Sequence, residues 1–92
     1  MIELGKSIRL EGFNEMDRNE LSIVKKMVGY YASEFERADT QFNMLTVRLL
    51  NTKAQKEVEI EVQSADQHRH VENGSNLFVV LDNGLKTMLS DF

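Results

Sequence analysis

Residues 73–89, Asn73-Gly74-Ser75-Asn76-Leu77-Phe78-Val79-Val80-Leu81-Asp82-Asn83-Gly84-Leu85-Lys86-Thr87-Met88-Leu89, decide the fold. The run Leu77 to Leu81 contains β-branched residues that favour sheet. As a strand it would take Asn73-Gly74 as a hairpin turn and Asp82-Asn83-Gly84 as another. The helical reading accounts for the whole length. Leu77, Leu81, Leu85 and Met88 recur at spacings of four, four and three, with Phe78 and Leu89 beside them. Ser75 or Asn76 supplies a cap, and Gly84 costs the helix about 1 kcal/mol against alanine. The periodicity therefore predicts a C-terminal amphipathic helix.

Working towards the N-terminus, Val58, Ile60 and Val62 alternate with Glu57, Glu59, Glu61 and Gln63. Period two with one apolar parity predicts a strand with a core face and an acidic, solvated face. Leu45, Val47 and Leu49 form the apolar parity of the preceding strand, against Met44, Thr46, Arg48 and Leu50. Asn51 to Gln55 connect the two as a hairpin. Ser64 to Gln67 turn the chain into a weakly patterned strand, His68 to Glu72.

Before these strands lies a long helix. Leu21, Val24, Val28, Tyr31 and Phe35 make its apolar stripe, which Ile23 and Met27 are expected to widen. Asp17 with Glu20 resembles a capping box, and Asn14 offers an earlier start. Arg37 suits the negative end of the helix dipole. At the N-terminus Ile2, Leu4, Ile8 and Leu10 share one parity and read as a single strand closed by Gly12, Phe13 and Asn14.

The expected order is β-α-β-β-β-α. This is an α+β fold in which a four-stranded mixed sheet carries both helices on one face, and residues 1–92 form one domain. A helix joining two strands makes them parallel with a right-handed crossover, and the other neighbours are antiparallel. The second sheet face stays open.

Composition narrows the function classes. The 92 residues carry a net charge of −4 and contain neither cysteine nor proline. Disulfides and thiolate metal sites are excluded, and a reducing compartment suits such a chain. No stretch approaches the roughly 20 apolar residues of a membrane span, and residues 1–10 carry no signal-peptide core. The expectation is a cytoplasmic protein with no membrane partner. A negative balance disfavours tight, non-specific nucleic-acid binding and leaves room for a local basic patch.

Arg18, Lys25, Lys26, Arg37 and Lys86 are the candidates for such a patch, contacting phosphate; alternatively they form a solvated helix face. Tyr30 lies off the apolar stripe and either stacks on a base or packs at the sheet edge. His68 and His70 share a strand face, but a zinc site needs a third ligand and none is evident, so a polar strand edge is the simpler reading. Glu57, Glu59 and Glu61 alternate with core residues on an open face, unlike catalytic carboxylates, which need a cleft. Arg9 and Arg48 are placed to pair with them across the sheet. Asn73-Gly74-Ser75 before a helix is a weak anion-binding signal without a nucleotide fingerprint. No nucleophile-elbow or Ser/His/Asp pattern is present, so no catalytic, metal or cofactor residue is assigned.

Two stretches carry a resemblance that covers nearly the whole chain. One is the long helix running into an aromatic, charged end, Val24-Lys25-Lys26-Met27-Val28-Gly29-Tyr30-Tyr31-Ala32-Ser33-Glu34-Phe35-Glu36-Arg37. The other is Val71-Glu72-Asn73-Gly74-Ser75-Asn76-Leu77-Phe78-Val79-Val80-Leu81-Asp82. With the element order, they resemble the ribosome hibernation promoting factor family, also called the ribosome-associated inhibitor or sigma-54 modulation family. The resemblance implies a βαβββα domain seated on the small ribosomal subunit near the tRNA and mRNA path, silencing translation in quiescent, stressed cells. It also implies RNA contacts through basic residues on the helices and exposed strands. This chain departs from that pattern in its acidic residues Glu57, Glu59 and Glu61, in having Lys86 as the sole base of its last helix, and in lacking a basic tail before Phe92. A diverged domain of the same fold that meets a protein partner, or itself, through the open sheet face is the alternative.

Overall fold

The computed structural model describes all residues, Met1–Phe92. Its elements are β1 (Ile2–Leu4), β2 (Ile8–Glu11), α1 (Arg18–Ala38), β3 (Met44–Asn51), β4 (Lys56–Gln63), β5 (Gln67–Gly74) and α2 (Leu77–Ser90). The strands form one mixed sheet in the order β1-β2-β3-β4-β5. Only β2 and β3 are parallel, joined by the α1 crossover; the other neighbours are antiparallel. This is the expected α+β fold with both helices on one face.

The sheet has five strands rather than four. The N-terminal segment folds into a hairpin in which Ile2 faces Leu10 and Leu4 faces Ile8. Gly5, at φ 62, supplies the left-handed residue of its turn. Partners directly opposite in a hairpin point to the same face, so the even parity of Ile2, Leu4, Ile8 and Leu10 is the same for one strand or two. Strand β5 is also longer than His68 to Glu72 and runs through Gly74, so Asn73-Gly74 is strand end rather than turn.

The core lies between the sheet and the helices. Val24, Val28, Tyr31 and Phe35 of α1 and Val80, Leu81, Leu85 and Met88 of α2 bury against Ile8, Leu10, Leu45, Val47, Val58, Ile60 and Val62. Each fully buried large aliphatic or aromatic side chain here contributes about 1.5–3 kcal/mol relative to exposure. Ile23 does not widen the α1 stripe; it is exposed, because it sits about a third of a turn away from the Val24–Val28–Phe35 line. Phe35 anchors the end of the core between two rings, Phe42 at 6.0 Å and Phe92 at 5.2 Å.

Both helices start on side-chain caps. Asp17 Oδ2 accepts from the N–H groups of Asn19 (3.1 Å) and Glu20 (3.4 Å), so the helix begins after Asp17 and not at Asn14. Asn76 Oδ1 accepts from Phe78 N (3.0 Å) and Val79 N (3.3 Å).

Gly84 is a packing glycine. A Cβ there would lie 2.6 Å from Ile60 Cδ1 and 3.2 Å from Glu72 Cβ, so α2 approaches β4 and β5 more closely than any side chain at 84 permits. Gly12 is required for a different reason. It has φ 86, and a Cβ there would meet the Leu49 carbonyl oxygen at 2.7 Å.

Candidate functional site

Most of the candidate cations lie along one helix. Three- and four-residue steps place Arg18, Ser22, Lys25, Lys26, Gly29, Ser33 and Arg37 on the side of α1 turned away from the core. All but Gly29 are exposed. Glu20, Glu34 and Glu36 are the acids of α1, so Lys25 and Lys26 are the only charges in the middle of this outer face. Arg18, Lys25 and Lys26 form no ion pair. Arg37 NH1 does, with Glu34 at 3.0 Å. Lys86 stands on the other helix and is paired one turn back, Nζ to Asp82 Oδ2 at 3.4 Å. The structure thus gathers Arg18, Lys25, Lys26 and Arg37 into a strip about 30 Å long, and Lys86 is separate from it.

The two helices are tied together by a bond the sequence did not announce. Tyr31 Oη donates to Asp82 Oδ1 at 2.7 Å. Burial, and then this hydrogen bond, push the Tyr31 phenol up to about 12. The same bond, with Lys86 assisting, holds the Asp82 carboxyl below its ordinary value. Tyr30, next along the chain, points outward at 61% exposure, its ring edge-on to Tyr31 at 5.2 Å. Of its two expected places, the sheet edge is therefore not the one observed.

The open sheet face is charged, and all its charges but Glu57 pair with one another. Arg48 is its hub: NH1 lies 2.9 Å from Glu59 Oε1 and 2.6 Å from Glu61 Oε1, while Nε reaches Glu11 Oε2 at 3.1 Å. These carboxylates keep the Arg48 guanidinium protonated more firmly than usual, Glu61 first among them. Arg69 adds a contact to Glu59 at 3.5 Å. Glu59 and Glu61 side chains are accordingly only 18% and 13% exposed, not freely solvated as their alternation suggests. Arg9 pairs with Glu3 at 3.9 Å instead of with the β4 glutamates, because β3 separates β2 from β4.

His68 and His70 face the helix side, opposite Val62 and Ile60. His68 packs on the Phe92 ring at 4.8 Å, and His70 Nε2 lies 2.7 Å from Glu72 Oε1. No three His, Asp or Glu side chains converge in a metal-holding group. At the opposite end of α1, a cleft of about 650 Å³ is lined by Glu15, Asp17 and Glu20 with Lys56. Lys56 Nζ is already donating to the carbonyls of Thr52 (2.7 Å) and Lys53 (2.6 Å), so the cleft is poorly suited to an anion. The Asn73-Gly74-Ser75 anion signal also finds no support, since Asn76 occupies the first N–H groups of α2.

No protein-family description and no curated protein sequence matches this chain. Among solved structures it is similar to a ribosomal subunit interface protein from Coxiella burnetii, with a TM-score of 0.65 at 7% identity, covering 92% of this chain and 89% of that one. At that identity the likeness establishes the fold alone, an α+β domain. No helix is long and apolar enough to cross a membrane.

Proposed function

We propose that this chain is a ribosome-associated factor that silences or modulates translation by laying the outer face of α1 against phosphates of small-subunit RNA. The observation that carries the reading is the full-length fold likeness to a protein named for the ribosomal subunit interface. The α1 strip supports it chemically. Arg18, Lys25 and Lys26 are uncompensated, and Ser22, Gly29 and Ser33 beside them on the same face let a backbone approach closely.

Charge placement gives the docking a direction. On the sheet side Glu3, Glu11, Glu57, Glu59 and Glu61 outnumber Arg9, Arg48 and Arg69. That face repels phosphate while the helix face attracts it. With about three phosphates neutralised, affinity falls roughly 20- to 40-fold for a fourfold rise in salt. A protein partner on the sheet face would find most of its charges already paired, Glu57 excepted, and two exposed apolar side chains, Leu50 and Val71, which gives the self-association reading less to stand on.

The test is sucrose-gradient co-sedimentation with purified ribosomal subunits at low salt. Migration with the small subunit is expected. A chain that stays at the top of the gradient with both subunits refutes the reading.

A further inference from the structure

We propose that Tyr30 is a stacking platform for an unpaired base of single-stranded RNA, set beside the phosphate-binding strip of α1. The proposal rests on the RNA-binding reading above and names the part of the RNA that this site takes.

Tyr30 is exposed at 61% in the middle of a well-packed helix. Its ring is not a free rotor. Tyr31 braces it edge-on, with ring planes at 81°, and Tyr31 is itself buried and fixed through its hydroxyl to Asp82. A braced, half-wet aromatic ring loses little freedom on receiving a flat partner, which favours stacking. Ile23, two turns earlier on the same side, is exposed as well and extends the apolar surface along the helix.

The neighbouring charges select the partner. Lys26, unpaired, stands one turn before Tyr30, about 6 Å along the axis, whereas Arg37, two turns after it, is bound to Glu34. The nearest acid along the helix, Glu34, is taken up by Arg37 at 3.0 Å. A flat π-surface beside the unpaired Lys26 fits a nucleobase and its adjoining phosphate. Only an unpaired base offers its face; in a duplex the base faces are stacked and the site gains nothing beyond charge.

The chain contains no tryptophan, so Tyr30→Trp installs a single indole as a direct reporter. The probes are a single-stranded RNA of about 12 nucleotides and a duplex RNA of the same total charge, both at low salt. The indole emission is expected to quench on the single strand and not on the duplex, with affinity at least equal to wild type. Tyr30→Ala is expected to weaken single-strand binding about 5- to 150-fold, the range for loss of one stacked base, and to leave duplex binding within about twofold. Tyr30→Phe should keep both, and circular dichroism of each variant should match wild type. Unchanged single-strand affinity of Tyr30→Ala, or equal losses on both RNAs, overturns the stacking site and leaves the phosphate strip standing. Absence of binding by the wild type to either RNA overturns the proposal together with the reading it rests on.

Discussion

Replacing Gly84 by alanine sets two effects of opposite sign against each other. In an isolated helix the change stabilises by about 1 kcal/mol, through backbone entropy and propensity. Here the new methyl would sit 2.6 Å from Ile60 Cδ1 and 3.2 Å from Glu72 Cβ. Ile60 is fully buried, so its terminal methyl can move only against packed neighbours, while Glu72 Cβ is fixed to the β5 backbone. Overpacking of this kind costs about 1–3 kcal/mol. The net expectation is a destabilisation of about 1 kcal/mol. At a urea slope of about 1 kcal/mol/M for a small domain, the unfolding midpoint falls by about 1 M. Ile60→Val removes the closest atom at a cost of about 0.5–1.5 kcal/mol of its own, so in that background Gly84→Ala should be neutral or stabilising. Urea titrations of the four proteins followed by circular dichroism complete the cycle. A midpoint that rises on Gly84→Ala alone, or an identical effect in both backgrounds, would refute the close seating of α2 on the sheet.

Other glycines separate conformation from packing: Gly12→Ala, at φ 86 and facing the Leu49 carbonyl, should lose about 1–3 kcal/mol, whereas Gly29→Ala, with open space around it, should gain about 0.5–1 kcal/mol, read as opposite shifts in Tm. Arg48→Met strands Glu11, Glu59 and Glu61 beside one another; because the cluster is partly exposed, about 1–2 kcal/mol of stability should be lost, measured by urea midpoint at neutral pH. Tyr31 and Asp82 make stability depend on pH at both extremes. The phenol, pushed up to about 12, contributes stability that is complete below its unfolded value of about 10 and disappears as pH rises through about 12. Asp82, held below the usual carboxylate range, contributes stability that is present at neutral pH and is lost as pH falls through its depressed value. Tyr31→Phe removes the phenol and the largest cause of the Asp82 depression, leaving Lys86 beside that carboxyl, so its deficit in urea midpoint against wild type should be greatest near neutral pH and narrow towards either extreme.

Much of this architecture is legible in the residues, and its failures have identifiable causes. The Leu77-Leu81-Leu85-Met88 spacing and the Asn76 cap carry α2, and the Leu21 to Phe35 stripe with Asp17 carries α1, because helix periodicity and capping are local. Parity cannot distinguish one strand from a hairpin between Ile2 and Leu10, so the fifth strand stays hidden; Gly5 is its only local mark. Arg48 and the β4 glutamates look like a solvated ladder in the sequence. Their pairing depends on cross-strand register, which puts Arg48 opposite Glu59 and leaves Arg9 to Glu3. Gly84 reads as a helix defect until the distance to Ile60 is known. The α1 cations are visible one by one. That Arg18, Lys25 and Lys26 stand unpaired while Arg37 and Lys86 do not is a property of rotamers and helix ends. Tyr30's outward direction follows from helix spacing, whereas its bracing by Tyr31 requires the interhelical bond to Asp82.

The central claim is that the helical face, and not the sheet face, meets the small subunit. Its most direct test is the affinity of small subunits for three proteins at low salt: wild type, Lys25→Glu with Lys26→Glu, and Glu57→Gln with Glu3→Gln. Binding by the wild type, its loss on charge reversal in α1, and equal or tighter binding by the sheet-face variant are the predicted results. Equal binding by the wild type and the α1 variant, or no binding by any of the three, would contradict the account.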